Sequence, residues 1–225
     1  MDSRNIWSTT MSLTEQPVAL ITLLAALSLL PLLVVMGTSF LKLSVVFALL
    51  RNALGVQQIP PNIALYGLAL ILSLFIMTPV GMAVQDRLAA SPAEPQASLL
   101  SRLSDNTLDP YRQFLKKHTA PAQLRFFRDA ARKNWPDDIR ARVSDDSLLL
   151  LMPAFAVSQL IEAFKIGLLL FLPFIAIDLI VSNVLLAMGM MMVSPMTISM
   201  PFKLLVFVLV GGWDRLLGQL LLSYR

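Results

Sequence analysis

A chain of 225 residues, 56% of them hydrophobic and 14% charged, is too apolar for an ordinary soluble domain, and its composition points to a membrane. The absence of cysteine excludes disulfide frameworks, thiol nucleophiles and cysteine metal sites, and a single histidine, His118, removes most metal and triad constellations. A net charge of +4 is too small to define a partner, and no Gly-x-x-x-x-Gly-Lys loop is present to hold a nucleotide phosphate, so neither metal nor cofactor is expected.

In chain order, residues 1–17 read as an N-terminal tail and 18–85 as a first apolar helical hairpin region. Within it, Val18 to Met36 is uncharged and long enough to span a bilayer, with Pro31 as a kink. Glu15 stands where a signal peptide would carry positive charge, so this segment is read as retained. From Gly37 to Leu54 the pattern is an apolar helical connector bearing Lys42 and Arg51, stopped by Gly55 and Pro60-Pro61. A second uncharged span follows from Ile63 to Val84, with Pro79 and Gly81 near its end.

Residues 86–147 differ in kind, with charges of both signs and five prolines, including Pro92 and Pro95. They read as a small soluble helical insert with short helices over Pro110–His118 and Ala122–Asn134, the second placing Leu124, Phe127 and Ala131 on one face. Its basic cluster from Arg125 to Lys133 is diluted by Asp129 and Asp137-Asp138 and lacks stacking aromatics, so nucleic acid is not expected. Residues 148–225 form a second apolar hairpin region, with a third span over Ile166–Val193 containing Asp178 and a fourth over Phe202–Leu222 containing Lys203, Asp214 and Arg215. An ionisable group at bilayer depth costs at least about 2.5 kcal/mol unless paired or wet. The fold class is therefore all-α, with membrane-type helical hairpins. Counting Lys42, Arg51 and Lys203 as connector charges places the connectors in the cytoplasm and the insert outside.

Half of the twelve methionines fall between Met188 and Met200, where Gly189, Pro195 and Pro201 discourage a continuous helix. Methionine is unbranched and polarizable, so a cluster of it suits either a pliable helix–helix filler or a deformable ring around a passage.

Three blocks together carry a family signature. They are Thr38-Ser39-Phe40 with Leu50-Arg51-Asn52-Ala53-Leu54-Gly55 and Pro60-Pro61-Asn62; Pro153-Ala154-Phe155 with Ser158-Gln159-Leu160 and Ala163-Phe164-Lys165-Ile166-Gly167; and Pro173-Phe174 with Ile177-Asp178-Leu179-Ile180-Val181-Ser182-Asn183, Gly189-Met190-Met191 and Ser194-Pro195. In these the chain resembles the FliP/SctR family, export-gate subunits of bacterial type III secretion systems, from about Val18 onward. The resemblance implies a multi-pass inner-membrane protein that forms a homo-oligomer, a pentamer, and joins FliQ/SctS-like and FliR/SctT-like subunits in a helical pore for unfolded secreted proteins. It assigns the gasket at the narrowest point to Met190, Met191 and Met192. In such an assembly Asp178 and Lys203 are expected as partners in an inter-subunit polar network, with Glu162, Lys165 and Gln159 nearby. Gln159, where flagellar members usually carry Glu, and the missing signal peptide lean toward the virulence injectisome branch.

Two other classes compete. Asp178 and Asp214 would be the carboxylate pair of an intramembrane aspartyl protease, but Gly211-Gly212-Trp213-Asp214 is not the Gly-x-Gly-Asp arrangement such enzymes use. Broken helices and midplane charges also suit a small-solute transporter, although no internal repeat is found.

Overall fold

The computed structural model describes residues 17–56, 59–90, 107–144 and 146–225, all helix and connecting turns with no strand among them. Glu15, Pro92 and Pro95 lie outside the described residues. The helices are α1 (Pro17–Gly37), α2 (Phe40–Ala53), α3 (Asn62–Ala90), α4 (Asp109–Lys117), α5 (Pro121–Asn134), α6 (Asp137–Arg142), α7 (Leu148–Ala187), α8 (Pro195–Leu209) and α9 (Gly212–Leu222).

The expected connector after the first span is instead the centre of the structure. In α2, Leu43, Val46, Phe47, Leu50 and Leu54 recur at helical spacing and are buried against α3, α7, α8 and α9. Each such side chain contributes roughly 1.5–3 kcal/mol when removed from water. The break before α2 is held by hydroxyls: Ser39 Oγ donates to Ser73 Oγ at 3.0 Å, and Ser73 Oγ donates to Thr38 Oγ1 at 3.1 Å. The Tyr111 hydroxyl, from α4, donates to the Gly37 carbonyl at 2.9 Å, so the insert grips the same break.

Several boundaries move. The second span does not end at Val84: α3 absorbs Pro79, runs on to Ala90 and carries Arg87 to an ion pair with Asp109 at 3.1 Å. The third span is far longer than Ile166–Val193: α7 has 40 residues, starting at Ser147, whose Oγ accepts the Leu149 N–H. At 1.5 Å per residue it is about 60 Å long, twice the hydrocarbon thickness of a bilayer. Its N-terminal half is occupied by the insert, with Leu151 and Phe155 packed against Phe114 and Leu115 of α4. Its C-terminal half exposes Leu168, Leu169, Leu172, Leu179 and Ile180.

The fourth span is bent. Pro201 sits inside α8 without stopping it, whereas Gly211 adopts φ +66 and turns α9 by 61° from α8. α3 and α7 are each long and apolar enough to cross a membrane, and there are up to four crossings if each bent pair, α1 with α2 and α8 with α9, counts as one. Lys42 and Lys203 are buried helical residues rather than connector charges, so neither belongs in a positive-inside count.

Candidate functional site: the methionine turn and two buried ion pairs

The turn between α7 and α8 follows from Gly189. The helix closes in a Schellman motif, with Met190 N–H donating to Leu185 O at 2.9 Å and Gly189 N–H to Leu186 O at 3.0 Å. That geometry puts Gly189 at φ +73, where a side chain would be strained. Pro195, at the first position of α8, has no N–H to leave unpaired at the helix start. The five residues between are thus pinned at both ends. Met191 and Met192 are 81% and 99% exposed, and Met188, Met190 and Met196 are also exposed. They belong to neither core cluster among the described residues.

Directly behind this turn lies the first ion pair. Lys203 of α8 places Nζ 2.6 Å from Asp178 Oδ2 of α7, within one chain. Ser199, one helical turn before Lys203, is buried and donates to the other Asp178 oxygen at 2.5 Å. Lys203 Nζ also donates to the Ala53 carbonyl at 3.3 Å. That carbonyl belongs to the last turn of α2, where unsatisfied C=O groups favour a cation. One lysine therefore ties three helices together.

A second lysine clamps the other end of α2. Lys42 Nζ lies 2.8 Å from Glu162 Oε2 and 4.5 Å from the centre of the Tyr224 ring. Tyr224 donates its hydroxyl to Gln159 Oε1, and Gln159 Nε2 donates to the His118 carbonyl at 2.8 Å. Ser158 Oγ accepts the Ala120 N–H at 2.9 Å, completing the seam between α7 and the insert. The His118 ring packs on Phe114 and Tyr224. Burial lowers its pKa first, and the nearby charges of Lys117 and Lys42 lower it further, against an opposing pull from Glu162.

Of the residues singled out from sequence, Asp178 and Lys203 are brought together, Glu162 and Gln159 join a separate cluster, and Lys165 is exposed with no ion pair among the described residues. Glu162 turns to Lys42 rather than to Lys165 because Lys42, 2% exposed, would otherwise be a stranded charge. Asp178 and Asp214 are not brought together: Asp178 is engaged by Lys203 and Ser199, and Asp214 is exposed on α9. Three contributors went unread: Lys42 as a network member, Ser199 and Tyr224. A cation inside an apolar helix was the available signal for Lys42, and the spacing of four from Lys203 was the signal for Ser199. A tyrosine next to the last residue carried none.

Residues 23–220 match the model of the FliP family. The chain belongs to the FliP family. It is 58% identical over 214 residues to the "Virulence protein YscR" of Salmonella typhimurium, covering 95% of this chain and 100% of that one. It is 57% identical over 206 residues to the "Yop proteins translocation protein R" of Yersinia pestis, covering 91% and 95%. It is also similar to the "Harpin secretion protein HrcR" of Erwinia amylovora, at 47% identity over 214 residues, covering 94% and 99%. In this FliP-family chain many of the signature residues fall at helix ends and at the two lysine-centred clusters, while Pro153-Ala154-Phe155 and Pro173-Phe174 lie inside α7.

Proposed function

We propose that this chain is a channel subunit of a type III protein export gate in a bacterial inner membrane, of the virulence branch. Copies of it assemble with FliQ/SctS-like and FliR/SctT-like subunits around a passage for unfolded proteins. Met190, Met191 and Met192 face that passage and close it. Family membership and relatives named for translocation and secretion support the setting. The observation that carries the gate is the methionine turn itself, held at Gly189 and Pro195 yet left exposed by the described residues.

The chemistry of the turn fits the task. A passage for varied unfolded chains needs a seal that yields to bulky side chains and closes to ions when empty. Three flexible thioether side chains repack around different shapes better than leucine or phenylalanine. An apolar constriction also blocks ions by dewetting, without a tight steric plug. The two lysine clusters keep α2, α7 and α8 in fixed register, so that opening moves the methionines and not the helices behind them.

The test is a triple Met190→Ala, Met191→Ala, Met192→Ala variant in the full complex. Ion leak through the resting membrane is expected to rise while the variant's abundance and assembly stay at wild-type levels. Unchanged leak in a fully assembled variant contradicts the gasket role.

A further inference from the structure

The elbow between α8 and α9 carries two unlike faces that complement each other. On one side, a cavity of about 530 Å³ opens between α7, α8 and α9, walled by Leu170, Phe174, Val206 and Leu216 with Arg215 among its lining. On the other, Leu205, Val208 and Leu209 are exposed just before Gly211, and Asp214 is exposed just after it. At about 100° per residue, the wedge-lining Val206 and Val210 are centred roughly 120° around the helix from Leu205, Val208 and Leu209. The same spacing separates Arg215 and Leu216 from Asp214 on α9. An apolar wedge with a basic group in its lining thus lies beside an exposed apolar knob with an acidic group outside that lining. Neither Asp214 nor Arg215 makes an ion pair among the described residues.

We infer that the knob of one copy docks in the wedge of the next, with Asp214 meeting Arg215 of the neighbouring copy. This rests on the assembly reading above and names the surface through which it occurs. Two different faces of one chain that fit each other make a head-to-tail contact, which closes into a ring when the rotation allows. Asp214 and Arg215 are adjacent in sequence, with Cα atoms about 3.8 Å apart, so pairing them between copies brings the elbows of neighbouring copies close together. Lipid alone would satisfy the apolar parts of both faces. It would leave two opposite charges at the same level without partners.

The cysteine-free chain makes the contact directly testable. Full complexes are prepared with Asp214→Arg, with Arg215→Asp, and with both, and their native mass is measured. Each single reversal places like charges face to face and is expected to lower oligomer yield about tenfold, and the double reversal is expected to restore it. An Asp214→Cys copy mixed with a differently tagged Arg215→Cys copy is expected to form an inter-copy disulfide. Both side chains are exposed, so unfolding of the isolated subunit is expected to be unchanged, which separates lost docking from lost folding. Intact oligomers in all three variants without the disulfide overturn this interface and leave the assembly reading standing. Bound phospholipid that is lost in both single reversals while the oligomer persists also overturns it. A wild-type chain that remains monomeric beside its partner subunits overturns both.

Discussion

Lys203 and Lys42 are alike in burial, and each is far more buried than its partner, which makes the cost of removing either side asymmetric. Lys203 is 4% exposed and Lys42 2%, whereas Asp178 and Glu162 are 37% and 45% exposed. Removing the carboxylate strands a desolvated ammonium, a loss of about 3–5 kcal/mol for a fully buried pair. Removing the lysine leaves an acid that water already reaches. Asp178→Ala is therefore expected to lower the thermal unfolding temperature of the purified protein more than Lys203→Ala, and Glu162→Ala more than Lys42→Ala. Equal losses within each pair would mean that packing of the lysine stems outweighs the charge. A second residue-level prediction concerns His118. Because burial and the two lysines push its pKa below the ordinary 6.5, folding favours the neutral ring. The unfolded chain then binds the proton more readily, and stability is complete above about pH 6.5 and falls as the pH drops below it. His118→Phe, which keeps an aromatic ring on Phe114 and Tyr224, is expected to flatten the unfolding temperature between about pH 7.5 and 5.5. A variant with the same slope as wild type would assign that dependence to other groups.

Among the elements, the sequence disclosed type more readily than extent. Apolar periodicity and the Gly55, Pro60 and Pro61 punctuation revealed α2 and its end, but the helix looked like a greasy connector because hydropathy does not say which element lies at the centre. The two insert helices stand within a residue or so of their expected positions, since Pro110 and Pro121 mark the first turns. The length of α7 was hidden by Pro153 and Pro173, both of which the helix absorbs. Pairing of Asp178 with Lys203 was open to reasoning because both are costly in an apolar setting. The Lys42, Glu162 and Tyr224 cluster was not, because it joins residues more than a hundred positions apart. The methionine turn was legible as a break, but its exposure depends on the Schellman closure at Gly189. A β-branched residue at φ +73 is a severe outlier, so Gly189→Val is expected to cost roughly 1–2 kcal/mol and to swing the turn out of line. Secretion by this variant is expected to fall at an unchanged subunit level. Wild-type secretion and sealing would show that the closure does not set the gate.

At the scale of the whole molecule, one rigid unit emerges from elements that a membrane alone would not hold together. α7 is too long to lie within a bilayer core, and the insert clamps its N-terminal half while α2 threads between it and α3. The exposed apolar surface on α3, α7 and α8 calls for lipid or neighbouring subunits, and Asp214 and Arg215, which make no ion pair among the described residues, favour neighbours at the elbow. Contact between the methionine turn and the exported chain underlies the proposed gate. It is tested most directly by placing single cysteines in the cysteine-free protein at Met191 and, as controls, at Leu169 and Phe75 on exposed apolar faces. A substrate stalled in transit, carrying a thiol-reactive group, is then scored for cross-links. Strong cross-linking at position 191 and none at 169 or 75 is the expected result. Equal labelling at all three positions, or none at 191 during active secretion, would contradict the account.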